Sequence, residues 1–287
     1  MTKRIALIIH NQTYAEPKLA QLKLPAADAA ALAELLRDPI VGNFDEVELA
    51  VNSPTAELRQ RVTGLFQRKH RHDELLLYIV GHLLVDEAGQ VHLATVDTHL
   101  DTLAETALSA GYLTDCMDRS FSRRQMLLLD GGCLRLNSIE WAADMRPTTV
   151  FKGRGYGRVV LTSVTGNDSM DEGQETDLTH HLIQALQTGA ADADGDGQVE
   201  LRELYEYLRQ QTRQTSLRIY GKHEHFILAR NPYHFIPVQP IKWDLISGAI
   251  LAPATIIIIG GRADLRTAIG LAGLLLLMYA LLYLAPD

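Results

Sequence analysis

The sequence predicts an α/β fold, an open and mostly parallel sheet flanked by helices on both faces, followed by a C-terminal two-helix transmembrane hairpin. Three observations predict it. Short, continuous apolar runs recur along the body, as in strands buried on both faces. Helical patterns alternate with those runs, which is the order of βαβ units. Two long uncharged stretches then close the chain.

Residues 3–9 (KRIALII) read as the first buried strand. Residues 25–37 (PAADAAALAELLR) read as a helix, rich in Ala and Leu with Pro25 at its start. Residues 46–51 read as a strand, and 54–68 as a helix with Leu58, Val62, Leu65 and Phe66 on one stripe. Residues 74–80 (ELLLYIV) form a second central strand that ends at Gly81-His82. A helix over 109–119 leads to a third apolar strand, 125–129, which ends at Asp130. A fourth strand covers 158–165, helices cover 178–187 and 201–213, and a late strand covers 225–229. The stretch 134–157 has no clear pattern and is basic, with Arg135, Arg146, Lys152 and Arg154. In such sheets ligands sit beyond the carboxyl ends of the strands, so Gly81-His82 and Asp130-Gly131-Gly132-Cys133 mark the candidate site.

The chain has 287 residues, 47% hydrophobic and 22% charged, which excludes a disordered chain or a disulfide-stapled mini-protein. A formal net charge of −8 makes it a poor binder of phosphate backbones, so nucleic acid is not an expected partner. Two cysteines, Cys116 and Cys133, make no disulfide framework, and a reducing interior is the simpler reading. Cys116 falls inside an amphipathic helix, where packing is its expected role. The first apolar run is too short for the core of a secretory signal, which places the body in the cytoplasm.

Residues 245–261 carry no charge, and after Arg-Ala-Asp-Leu-Arg at 262–266 neither do residues 267–285. A membrane span needs about 20 apolar residues, with a working range of about 17–25. Both stretches qualify, the first despite Gly248 and Pro253, which membrane helices tolerate. The short link makes the pair antiparallel, and Trp243, Tyr279 and Tyr283 suit interfacial positions. The domain reading is therefore 1–236 for the α/β body, 237–244 for a linker and 245–285 for a hairpin in the lipid bilayer. A buried hydrophobic hairpin in a homo-oligomer is the alternative.

Residues 192–203 fit a calcium-binding EF-hand loop. Oxygen donors fall at the first, third, fifth, ninth and twelfth positions (Asp192, Asp194, Asp196, Glu200, Glu203). Gln198 offers its carbonyl at the seventh, and Gly197 supplies the sharp turn. Five carboxylates on one loop repel each other without a cation, so Ca2+ is the expected ion and its expected role is to fix the late helix against the sheet. An acidic turn that caps the helix is the alternative.

Taken together, IALIIHNQTYAEPKL, LPAADAAALAELLRDPIVGNFDEVEL, DELLLYIVGH, DEAGQVHLATVDT, DRSFSRRQMLLLD, ADADGDGQVELRELYEYL and HFILARNP occur in an order that resembles the caspase-like cysteine peptidases, in particular the bacterial metacaspase-like branch. The resemblance covers roughly residues 3–232. It implies a His-Cys dyad in which the His follows one central strand and the Cys follows the next, in Asp-x-Cys-x-Ser-Gly. His82 lands on the family histidine. The glycine that follows it in the family is Leu83 here, strained if the loop needs positive φ. Gly132 occupies the nucleophile position, and the Ser-Gly after it is Leu134-Arg135 once Cys133 is passed. Cys133 comes one residue late, about 3.8 Å along the chain, and in an extended strand that shift turns a side chain to the opposite face. The Gly131-Gly132 pair leaves open a chain that folds back to present Cys133. The resemblance also implies cleavage after Arg or Lys, with Asp130 and Asp97 as acids that would bind the basic side chain.

Three functions stay open on the sequence. One is a membrane-anchored pseudoprotease that acts by binding or regulation, with a link to bacterial defence or programmed death by analogy. Another is an active cysteine endopeptidase that uses His82 and Cys133 on a protein with basic residues. The third is an effector whose body gates a membrane-perturbing tail.

Overall fold

Strands with two buried faces form the centre of the molecule, because their apolar runs leave no face for water. The computed structural model describes residues 2–19, 26–135, 150–153, 157–167, 178–212, 215–220 and 225–234. Its strands are β1 (Arg4–His10), β2 (Glu46–Val51), β3 (Glu74–Val80), β4 (Leu83–Val85), β5 (Val91–Ala94), β6 (Ala107–Ser109), β7 (Arg124–Arg135), β8 (Arg158–Asn167), β9 (Gln198–Glu200), β10 (Thr215–Tyr220) and β11 (Ile227–Arg230). Its helices are α1 (Ala26–Arg37), α2 (Thr55–Phe66), the single turn α3 (Leu103–Thr106), α4 (Ala110–Arg119), α5 (Leu178–Thr188) and α6 (Leu201–Gln211).

The central ladder β2-β1-β3-β7-β8 is parallel throughout. β10 joins β8 antiparallel at one edge. β4 follows β3 along the same flank of β7 and continues into the antiparallel pairs β4-β5 and β5-β6. β9 and β11 make a separate two-stranded sheet. Alternation along the strands divides the core into two layers. Ile8, Tyr78, Met126 and Leu128 pack against α1, α5 and α6. Leu7, Leu77, Leu127 and Leu129 pack against α2 and α4.

The strands and helices read from the sequence are present, and the differences have local causes. α2 stops at Phe66 because Gln67 is extended and Arg68 takes φ 54°, in the left-handed region. The third central strand does not end at Asp130 but runs to Arg135, because β8 stays paired beside it as far as Leu134 opposite Asn167. β4, β5, β6, β9 and β10 are additions, the first four too short to give a periodic signal.

The chain divides between Phe235 and Ile236, and every described residue belongs to the first unit. No helix among the described residues is long and apolar enough to cross a membrane. The linker 237–244, the hairpin 245–285 and most of the basic stretch 134–157 lie outside the described residues.

One ion pair ties α4 to the sheet. Arg158 opens β8 with its side chain 3% exposed, and its Nη2 lies 2.7 Å from Asp118 Oδ1. The same guanidinium donates to Gln125 Oε1 and to the carbonyls of Phe151 and Lys152. Burial pulls the Arg158 pKa down, with Asp118 opposing it. Removal of one partner from a buried pair strands the other charge, at about 3–5 kcal/mol. Asp118→Ala is therefore expected to lose about that much stability in urea denaturation. An Asp118→Ala, Arg158→Met double variant should recover most of it, and equal stability of the single variant and the parent would show that the pair holds nothing.

Candidate active site

β1, β3 and β7 end side by side, with His10 opposite Val80 and Val80 opposite Asp130. Pairing resumes beyond a two-residue gap with Leu83 opposite Cys133. The offset is the same on both sides of the gap, so Gly81 faces Gly131 and His82 faces Gly132. The gap holds two glycines at close quarters. Gly131 has φ 151°, and a Cβ on it would lie 2.0 Å from the Gly81 carbonyl oxygen. The Gly81 N–H donates to the Asp130 carbonyl at 3.0 Å.

Gly132 aims at the imidazole. A Cβ built on it would sit 3.2 Å from His82 Nδ1 and 3.6 Å from Cε1. Cys133 is the next residue of an extended strand, so its side chain leaves from the other face. There it is 2% exposed, in the apolar layer with Leu83, Val85 and Leu129. The strand does not fold back at Gly131-Gly132, and the structure does not bring His82 and Cys133 together on one face. Leu83 carries no strain, since its φ is not among the positive ones. It lies in β4 with β5 on one flank and β7 on the other, so its backbone belongs to the sheet.

His82 is 6% exposed and is held by groups that sequence reasoning missed. Its N–H donates to Tyr14 Oη at 3.1 Å, and Tyr14 O–H donates to the Asn11 carbonyl at 2.6 Å. The Tyr14 and His82 rings lie 5.0 Å apart. Burial pushes the Tyr14 pKa up, against the pull of the His82 N–H, so the phenol stays protonated. The available signal was positional: an Asn and a Tyr directly after a strand that ends beside His82.

Both acids assigned to a basic side chain bond to helix starts. Asp130 is 2% exposed, and its Oδ2 accepts from Thr179 N at 3.1 Å, Thr179 Oγ1 at 2.7 Å and Tyr78 Oη at 3.3 Å. It thereby caps α5, while burial and the Asp130 charge raise the Tyr78 pKa. Asp97 Oδ1 accepts from Thr55 N at 2.8 Å, Thr55 Oγ1 at 3.0 Å and Thr95 Oγ1 at 2.7 Å. It caps α2 from a distance, because the N-cap residue Pro54 has no acceptor to offer. Burial alone would raise the Asp97 pKa, but these hydrogen bonds outweigh it and hold the carboxyl below its ordinary range.

The acidic loop is partly assembled for a cation. Ligand oxygens of Asp192, Asp194 and Asp196 lie within 4.8 Å of one another. Gly195 and Gly197 take positive φ at the turn. Asp192 Oδ1 is buried without a hydrogen-bond partner, while its Oδ2 accepts from Gly197 N and Asn231 Nδ2. Glu200 and Glu203 are otherwise engaged. Glu200 Oε1 lies 2.7 Å from His225 Nδ1. Glu203 accepts from the N–H groups of Ala193, Asp194 and Glu200. An all-oxygen donor set with one orphaned buried carboxylate oxygen fits a hard cation. Gln198 opens β9, opposite Arg230 of β11.

The class is a caspase-like α/β domain. A protein from Geobacter sulfurreducens solved by structural genomics has the same fold, with a TM-score of 0.55 at 13% identity, over 80% of this chain and 98% of that one. Caspase-1 from Spodoptera frugiperda aligns over 78% of this chain and 92% of its own, at 12% identity and a TM-score of 0.49. No curated protein matches the chain in sequence. Residues 3–126 match the family model of the caspase domain. That match stops short of Asp130.

The two central glycines should differ sharply on substitution. Gly131→Ala meets a backbone oxygen and an unfavourable φ, and is expected to cost about 3 kcal/mol or more. Gly132→Ala needs only a small shift of the His82 ring and should cost about 1 kcal/mol or less. Urea denaturation of both variants checks this, and equal losses would contradict the register. Asp97→Ala should cost about 1 kcal/mol at about pH 7. Because the folded pKa is depressed, the contribution of Asp97 is complete above the unfolded carboxylate value and fades as pH falls through the folded one. The gap between parent and variant should therefore narrow as pH falls below the ordinary carboxylate range, and a gap that does not change with pH would contradict a charged cap.

Proposed function

We propose that this chain is a membrane-anchored caspase-like pseudoprotease that acts by binding a protein partner, not by cutting it. One observation carries the reading: Gly132 faces the His82 imidazole, and the only thiol on that strand, Cys133, departs from the other face. A cysteine peptidase needs the sulfur within about 2.6–3.2 Å of its base, and an error of about 1 Å can cost a hundredfold. The commitment of Asp130 and Asp97 to helix starts supports the same reading, since a pocket for Arg or Lys would have to take its carboxylates from those caps.

The loop at residues 192–203 binds Ca2+ in this reading, through Asp192, Asp194, Asp196 and the carbonyl of Gln198, with Glu200 and Glu203 as the remaining carboxylates. The ion supplies charge neutralisation that fixes α6 and β11 to the body. The tail at 245–285 anchors the body to the bilayer from the cytoplasmic side. A role in bacterial defence or programmed death rests on family analogy.

The test is the purified full chain with an Arg-containing fluorogenic peptide, with and without calcium. No turnover above that of Cys133→Ala is expected. Turnover abolished by both Cys133→Ala and His82→Ala would overturn the pseudoprotease reading. Calorimetry should give calcium heat that Asp192→Ala removes, and a silent parent would take the ion out. Deletion of residues 245–287 should move the chain from the membrane fraction to the soluble one, and a full chain already soluble would remove the anchor.

A further inference from the structure

We infer that Tyr14, with Asn11 behind it, is a positioning residue that locks the His82 peptide and so aims the imidazole at position 132. The two residues close a cycle of hydrogen bonds around the histidine. The His82 N–H donates to Tyr14 Oη, and Tyr14 O–H donates to the Asn11 carbonyl. On the other side the Asn11 Nδ2 donates to the Ala94 carbonyl at 3.0 Å, and the Ala94 N–H donates to the His82 carbonyl at 2.9 Å. Both backbone groups of His82 are thereby fixed by side chains or strands that Asn11 links. Asn11 itself is fully buried and donates its N–H to the Val80 carbonyl at 2.9 Å.

The segment that carries Tyr14 is held just as firmly. Asn52 adopts φ 46°, in the left-handed region. Its Oδ1 accepts from both Gln12 N at 2.9 Å and Thr13 N at 3.1 Å. The Ala15 N–H then donates to the Val96 carbonyl at 2.8 Å. With residues before and after it pinned, Tyr14 has little freedom, and its hydroxyl stands within 3.4 Å of where a Cβ on Gly81 would lie. The clamp therefore also bears on the glycine hinge just before the histidine. At Gly81-His82 the paired ladder with β7 is interrupted, and the His82 N–H goes to the Tyr14 side chain while the His82 carbonyl keeps a backbone bond from Ala94.

The inference stands whether or not the chain cuts peptides, because it concerns where His82 is held. Tyr14→Phe keeps the ring and removes both hydrogen bonds. In the full chain, the Tyr14→Phe variant is expected to show the His82 amide proton shifted upfield and exchanging faster, as for a lost N–H···O bond. A second readout uses Gly132→Cys as a reporter of the imidazole. Its new thiol should react with iodoacetamide at about pH 7 roughly tenfold faster than in Gly132→Cys, His82→Ala, because a nearby imidazole raises the thiolate fraction. Tyr14→Phe in the Gly132→Cys background should erase most of that excess, while circular dichroism stays unchanged. An unmoved His82 amide in Tyr14→Phe, or a reporter rate that Tyr14→Phe leaves intact, would overturn the positioning role. If the reporter variant does not fold, the amide signal in the otherwise unaltered chain decides. Peptide turnover by the parent would sink the pseudoprotease reading without touching this one.

Discussion

The ladder between β7 and the β3–β4 line keeps one register across the Gly81-His82 interruption, and the chemistry of the site follows from that constraint. In a parallel pair with a side-chain period of two, fixing Val80 against Asp130 fixes which face every later residue takes. His82 and residue 132 share a face. Cys133 does not, and only a one-residue slip of β7 would change that. Such a slip would also turn Met126 and Leu128 out of one core layer and Leu127 and Leu129 out of the other. Each would land in the layer shaped for the other set, and the Asp130 carboxylate would leave the start of α5, so the register is held by more than the position of one thiol.

β8 adds a second restraint. It follows β7 past Asp130 to Leu134, so the segment after Gly132 is a strand with a neighbour and not a loop. Gly131 is needed there because the Gly81 carbonyl leaves no room for a side chain. Asp130 and Asp97 then act as anchors for α5 and α2, which places two negative groups at helix N-termini where the helix dipole favours them. The same acidic chemistry that suits a bound guanidinium also suits an N-terminal cap, and both acids make cap contacts.

The central strands and the flanking helices were legible because burial on both faces writes a continuous apolar run, as in residues 3–9 and 74–80. β4, β5 and β6 were not, since three or four residues cannot carry a period. The extension of β7 was hidden for another reason: Gly131-Gly132 reads locally as a turn, and the pairing with β8 that overrides it is tertiary. The motif set His82 beside position 132, and the pairing of the strands puts Gly132 and the His82 ring on one face. The partners of Asp97 were not, because Thr55 is 42 residues distant and its helix start lacks an acceptor for a reason found only in Pro54. Tyr14 escaped because its contact with His82 spans 68 residues of sequence.

The direct measurement of this account is the alkylation rate of Cys133 in the folded chain, followed by mass spectrometry in a Cys116→Ser background. A thiol in the apolar layer under β7 should stay unmodified at neutral pH until the chain unfolds, and His82→Ala should leave that rate unaltered. Rapid modification of the native chain that depends on His82 would place the sulfur beside the imidazole and contradict the register on which the site is built.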